Sequence, residues 1–148
     1  MTRWIFLMIA LVMGMFLPIQ QGVNATLTSS LRNPLQGALA SFAIGTFALL
    51  GLCSALQLPL PTLDKISGSP WWAWTGGLLG AVFVTTGIIL APRLGATTTA
   101  AALIAGQILA SLLLDHHGLL GFNQHPISFG RLVGVVLLLT GVVLVRRF

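Results

Sequence analysis

The chain has 148 residues, 56% of them hydrophobic and 6% charged, and its seven Lys and Arg against two Asp and Glu give a formal charge of +5; the mean hydropathy is +0.99. Soluble domains are about half apolar and a quarter charged, so a water-soluble fold could not hide this surface. The basic residues sit at the ends of apolar stretches and do not form the patch that a nucleic-acid binder needs, and the single Cys53 excludes a disulfide framework or a cysteine metal site.

Five apolar stretches separated by short polar breaks fill almost the whole chain, and none contains Asp or Glu. A helix rises 1.5 Å per residue, so about 20 apolar residues cross a hydrocarbon core about 30 Å thick, where unsatisfied backbone excludes open strands and loops. The expected fold is all-α: a polytopic membrane helix bundle of five transmembrane helices. It forms a single integral membrane domain over residues 1–148, with spans near 4–24, 35–58, 71–90, 96–114 and 127–145.

The first stretch, Trp4 to Ile19, follows Thr2 and Arg3 and runs through Pro18 into Gln20, Gln21, Gly22, Val23 and Asn24. A helix continuing past Pro18 would kink there. A charged start, an apolar middle and Val-Asn-Ala ending at Ala25 also resemble a cleavable signal peptide. The second stretch, Leu35 to Leu58, enters through Asn33-Pro34 and leaves through Pro59 and Pro61, which punctuate a helix start and stop. Trp71 to Leu90 opens with Trp71, Trp72 and Trp74, indoles that favour the headgroup boundary. Pro92-Arg93-Leu94-Gly95 leaves only a tight turn before Ala96 to Leu114, which predicts an antiparallel hairpin of helices three and four. The uncharged run Leu132 to Val145 spans only roughly 20 Å at the helical rise. Counted from Ile127 it suffices, with Arg131 snorkelling from the first turns.

Small residues recur every fourth position: Gly37, Ser41 and Gly45; Gly76 and Gly80; Ala102, Gly106 and Ala110; Gly130 and Gly134. Such rows let helix backbones approach closely, whether as plain packing seams or as the sliding faces of a transporter. With five spans, Arg3, Lys65 and Arg131 lie on one side and Arg32, Arg93, Arg146 and Arg147 on the other. That near balance gives little positive-inside bias, so an antiparallel homodimer is expected beside the ordinary single orientation.

Gln20 and Asn24 share a helical face with Gln21 alongside, and Gln107, Ser111 and Asp115 form a second stripe. Buried amides bind polar solutes, although helix-end capping or an interhelical hydrogen bond explains them as well. Asp115, His116, His117 and His125 carry the residue types of a zinc site, but adjacent histidines on a helix end point apart, so no metal is expected. One carboxylate beside imidazoles suits proton exchange near neutral pH, which makes Asp115, His116 and His117 the candidates for proton coupling. No nucleophile, base and orienter set and no phosphate loop stands out, so neither an enzyme nor a cofactor is expected.

Pro18-Ile19-Gln20-Gln21-Gly22-Val23-Asn24, Trp72 to Gly80, Ala91-Pro92-Arg93-Leu94-Gly95-Ala96, Gly106-Gln107 and Asp115-His116-His117-Gly118 resemble the YdcZ-like family of the drug/metabolite transporter superfamily. The resemblance implies a bacterial inner-membrane protein, half of an inverted-repeat transporter, predicted to export small molecules. Small multidrug exporters of that superfamily use an embedded Glu, and this chain has none, so neutral or zwitterionic solutes fit better than cations, or anions where Arg131 or Arg93 reaches the pathway. The expected function is a small-molecule transporter or exporter acting as a dimer of five-helix halves, homodimeric or with a similar chain, in contact with the bilayer. Its pathway is assigned to Gln20, Gln21, Asn24, Gln107 and Ser111. The competing reading is a non-transporting membrane subunit that packs on a partner through its small-residue faces, and a membrane enzyme built on the histidine loop ranks last.

Overall fold

The computed structural model describes residues 2–148, with side chains described from Trp4 onward; the side chain of Arg3, used in the charge count above, lies outside the described residues. The elements in order are α1 (Thr2–Leu31), α2 (Pro34–Ala55), a short α3 (Leu63–Ser67), a 3-10 turn (Trp71–Trp74), α4 (Thr75–Leu94), α5 (Ala96–His117), a 3-10 turn (Leu119–Gly121) and α6 (Phe129–Arg147). Among the described residues there is no strand, and five helices are long and apolar enough to cross a membrane. The fold is all-α and polytopic.

The helix boundaries follow from local chemistry. α1 does not stop near Asn24: it runs on to Leu31. Its polar tail stays helical because Thr26 Oγ1 donates to the Gly22 carbonyl at 3.0 Å and Ser29 Oγ to the Thr26 carbonyl at 2.6 Å, turning hydroxyls back onto the helix. Arg32 takes a left-handed φ of 61°, and Asn33 then caps α2, its side-chain oxygen accepting from the Leu35 amide at 2.9 Å. Pro34 fills the first helical position, where a missing N–H costs nothing. α2 ends at Ala55, three residues before the expected stop. Gln57 adopts φ 52°, and the Gln57 and Leu58 amides bond back to the Ser54 and Cys53 carbonyls, a helix-ending pattern that glycine more often supplies. The three tryptophans form a 3-10 turn ahead of α4 instead of its first helical turn. α4 and α5 are joined by Gly95 alone, at φ 83°, a conformation open to glycine at little cost. α6 begins at Phe129, not Ile127, because the Ser128 side chain caps it by accepting from the Arg131 amide.

The chain divides into two compact units, one taking the residues up to Pro18 together with Leu94–Phe148, the other Ile19–Arg93. The boundary inside α1 falls at Pro18, which has no N–H to give to the preceding turn. Within the second unit, α1 meets α2 at Thr28 and Gly37, α1 meets α4 at Gln21 and Gly87, and the Phe42 ring of α2 lies over Gly80 of α4. Within the first unit, α5 packs along α6. Among the described residues the buried apolar side chains are Ala38, Ile88, Ala105 and Val135. Four residues cannot be the core of a soluble domain, and the long apolar exterior is a lipid-facing one.

The small-residue rows divide in two. Gly37 and Gly80 stand against other helices of their unit, whereas a side chain at Gly45, Gly76, Gly106, Gly130 or Gly134 would meet nothing within 4 Å. Within its own unit, none of those five glycines packs one helix against another, because the facing space is empty. A Cβ at Gly37 would collide with Thr28 Oγ1 and lie 3.2 Å from Thr28 Cβ. Gly37→Ala is therefore expected to destabilise the fold by about 1–3 kcal/mol, the usual cost of overpacking. Adding Thr28→Ala should restore most of the loss in a double-mutant cycle of unfolding midpoints in detergent.

Candidate functional site

Polar side chains gather in two places, one in each unit. On α1, Gln21 and Asn24 are only 7% and 5% exposed. Thr28, seven residues on from Gln21, continues the same face. The carboxamide of Gln21 rests on Gly87 of α4, where an added Cβ would lie 3.1 Å from Nε2 and 3.3 Å from Cγ. Gln21 Oε1 and Thr28 Oγ1 are buried with no hydrogen-bond partner among the described residues. An apolar helix thus carries a row of polar groups with valences left open, the arrangement that costs most where no water is present. Gln20 does not join that buried face. It is exposed and lines a separate groove of about 240 Å³ with Ser41, Phe42, Gly45, Thr46, Leu49 and Val84. The buried companion of Asn24 is Gln21, on the other flank of the helix.

The second cluster caps the α5–α6 connection. Gly118 leaves α5 in the left-handed region with φ 61°. The loop then folds back so that the His125 amide donates to the Asp115 carbonyl at 2.7 Å and Gln124 Nε2 to the His116 carbonyl at 3.1 Å. Carbonyls orphaned at a helix end are thereby satisfied. The Ile127 amide donates to His116 Nδ1 at 3.2 Å, so that ring nitrogen is committed to the loop and is not open to a metal. The His116 and His117 rings stand edge to face, 4.7 Å between centroids.

Arg131, in the first turn of α6, reaches across this cap. Its Nη1 donates to Asp115 Oδ2 at 3.3 Å and to the His125 carbonyl at 3.1 Å. Both side chains are about two-thirds buried, with 37% and 31% exposure. A groove of about 380 Å³ runs from this ion pair between α5 and α6, lined by Ile108, Ser111, Leu112, Gly134 and Val135. Ser111 and Asp115 share it, as their spacing predicts. Gln107 does not: it is exposed on α5, and among the described residues its amide has no partner.

The sequence reading missed three participants. Arg131, expected as a snorkelling residue or as a contact for anions, is the partner of Asp115. A signal existed, since Asp115 lies in the last turn of one helix and Arg131 in the first turn of the next. Thr28 is a periodicity partner of Gln21 and Asn24 and was legible in principle. Gly87 lies four residues before Ala91 and eight before Gly95, a small-residue row that the rows named above do not include.

Residues 5–144 match the protein family described as "Putative inner membrane exporter, YdcZ". Among curated proteins, the chain is 29% identical over 138 residues to "Inner membrane protein YdcZ" of Escherichia coli (strain K12), covering 90% of this chain and 89% of that protein. No solved structure matches the chain.

The open valence at Gln21 yields a stability prediction. Leucine has nearly the same shape and no acceptor to desolvate, so Gln21→Leu is expected to leave the unfolding midpoint unchanged or to raise stability by about 1 kcal/mol. A loss of several kcal/mol in detergent-solubilised protein would show that the amide is held by bonds that the native membrane state supplies.

Proposed function

The chain belongs to the YdcZ family of inner membrane exporters, and on that footing we propose that it moves a small polar solute through a dimer of five-helix halves, with the amide face of α1 on the path. Membership supports a transporter of the inner membrane, and its five spans make it a multi-pass protein. The observation that carries the finer reading is the buried, unpartnered Gln21 Oε1 beside Asn24. An acceptor without a donor costs about 1–3 kcal/mol, and a solute bearing hydroxyl or amide donors removes that cost while it is bound. At Gly87 the space that any side chain would take is filled by the Gln21 carboxamide itself, so the bare backbone there holds the amide in its buried position.

Gln107 supports the dimer. An amide near the middle of a spanning helix, exposed and unpartnered, is favourable only when another protein surface meets it. The glycines with empty space before them outside the α5–α6 groove, Gly45, Gly76, Gly106 and Gly130, suit the close approach of a second subunit's helices. The near balance of basic residues suits insertion both ways, and so an antiparallel pair. In this reading Asp115 with His116 or His117 carries any exchanged proton, and opening of the ion pair to Arg131 accompanies the exchange.

Two measurements test the reading. Cells overproducing the protein should release at least one small solute several-fold above cells producing Gln21→Leu at equal membrane level, as read by metabolite analysis of the medium; equal profiles would return the chain to the role of a non-transporting subunit. Single cysteines near Lys65 and Arg93 in a Cys53→Ala chain, labelled on intact cells with an impermeant thiol reagent, should each react in part. Labelling at one position only would replace the antiparallel pair by a parallel or heteromeric assembly.

A further inference from the structure

Arg131 uses a single nitrogen, Nη1, for both of its contacts, and among the described residues its Nη2 and Nε have no partner. A guanidinium has five N–H groups in a planar fork that pairs best with an oxyanion in the two-pronged manner. Asp115 is likewise undersatisfied, with one carboxylate oxygen engaged at 3.3 Å, where charge-assisted N–H···O contacts commonly close to about 2.7–2.9 Å. The pair is loose and single-pronged. It stands at the end of a groove whose other lining is apolar apart from Ser111.

We propose that this ion pair is an exchangeable lock for a small zwitterion: the ligand's ammonium takes Asp115, its carboxylate takes the fork of Arg131, and its apolar side chain enters the groove. The charges select the class. A simple anion at Arg131 leaves the Asp115 carboxylate beside it, and a simple cation at Asp115 leaves the guanidinium beside it. A neutral solute offers nothing to offset separation of the pair. A zwitterion replaces one weak ion pair by two and changes the net charge of the site by nothing, so it adds no ionic cost at a membrane boundary.

The groove sets the shape. Ile108 to Asp115 is seven residues, about 10 Å along α5 at the helical rise. A volume of about 380 Å³ lies at the low end of small-molecule sites, which run from roughly 300 to 1,000 Å³. Ile108, Leu112 and Val135 favour an aliphatic or aromatic side chain of amino-acid size. Gly134 keeps the groove open, because a side chain there would project into it and meet no atom within 4 Å. The inference names the substrate class of the exporter proposed above and rests on that reading for its purpose, although binding itself does not.

The test is equilibrium binding to the purified full-length protein in uncharged maltoside micelles, with leucine, methionine and phenylalanine as probes and N-acetylleucine and leucinamide as the single-charge controls. At least one free amino acid is expected to bind tenfold or more tightly than either control. Asp115→Asn should reverse the preference toward N-acetylleucine, and Arg131→Gln toward leucinamide, a reversal that a merely structural ion pair would not produce. Gly134→Leu should abolish binding of every probe with the melting temperature unchanged. No binding by any of the three amino acids, or binding indifferent to Gly134→Leu and to both charge variants, overturns the proposal. Loss of amino-acid binding on adding phosphatidylethanolamine at low mole fraction also overturns it, by assigning the site to a lipid headgroup of the same charge pattern. Binding without any solute export by the wild-type chain would sink the transporter reading and leave the site standing; export that Gln21→Leu abolishes, with no amino acid bound, would do the reverse.

Discussion

Hydrocarbon offers no hydrogen bonds, and that one deficit shapes everything else in this chain. Backbone amides at membrane depth must find their partners within their own helices, so helix ends become the places where special residues are required. Asn33 and Pro34 open α2, the Gln57–Leu58 turn closes it, and Gly118 with the returning loop closes α5. Even the hydroxyls of Thr26, Ser29, Thr46 and Thr140 turn inward to carbonyls of the preceding turn. Against this background of satisfied groups the exceptions stand out: Gln21 Oε1, Thr28 Oγ1 and Thr99 Oγ1, buried and unpartnered among the described residues.

The same deficit removes the usual driving force for packing, since lipid tails are as apolar as leucine. What holds two helices together here is close approach at small residues, and the protein spends few of its glycines that way within one chain. Gly37 admits Thr28, Gly80 admits Phe42 and Gly87 admits Gln21. Two of these three contacts bring a polar side chain onto a bare backbone, so in this unit tight packing and the placement of polar groups are one event. Filling Gly87 would alter the seam and displace the amide together.

Element type was legible because length and hydrophobicity alone decide it in a membrane: a run of about 20 apolar residues without charge has no alternative to a spanning helix. Boundaries were legible where proline or asparagine marked them, as at Asn33-Pro34, and were misplaced where a non-glycine residue took the left-handed conformation, as at Gln57. The tail of α1 escaped notice because its Thr and Ser residues read as a break, while their side chains serve the helix they are in. Site residues were legible as types and less so as partners. Gln20, Gln21 and Asn24 are adjacent in sequence, yet a rotation of 100° per residue puts Gln21 inside and Gln20 in a different groove. The Asp115–Arg131 pair depends on how far a loop folds back, which is set by Gln124, His125 and Ile127 bonding to the end of α5. Periodicity carries no information on that.

The two polar assemblies have a common electrostatic character. The α1 face presents amides and a hydroxyl, with no ionised group, and the α5–α6 cap presents one carboxylate and one guanidinium whose charges cancel. Neither offers an uncompensated charge to balance an ion. Moving one elementary charge against a membrane potential costs about 2.3 kcal/mol per 100 mV, and a carrier for ions must hold a counter-charge or couple to that field. In the proposed transporter, a chain with no Glu, and with Asp115 already matched to Arg131, suits cargo of zero net charge. For such cargo the potential neither helps nor opposes the passage. On that proposal, what selects the solute is the geometry of hydrogen bonds at Gln21 and of two opposed charges at Asp115 and Arg131.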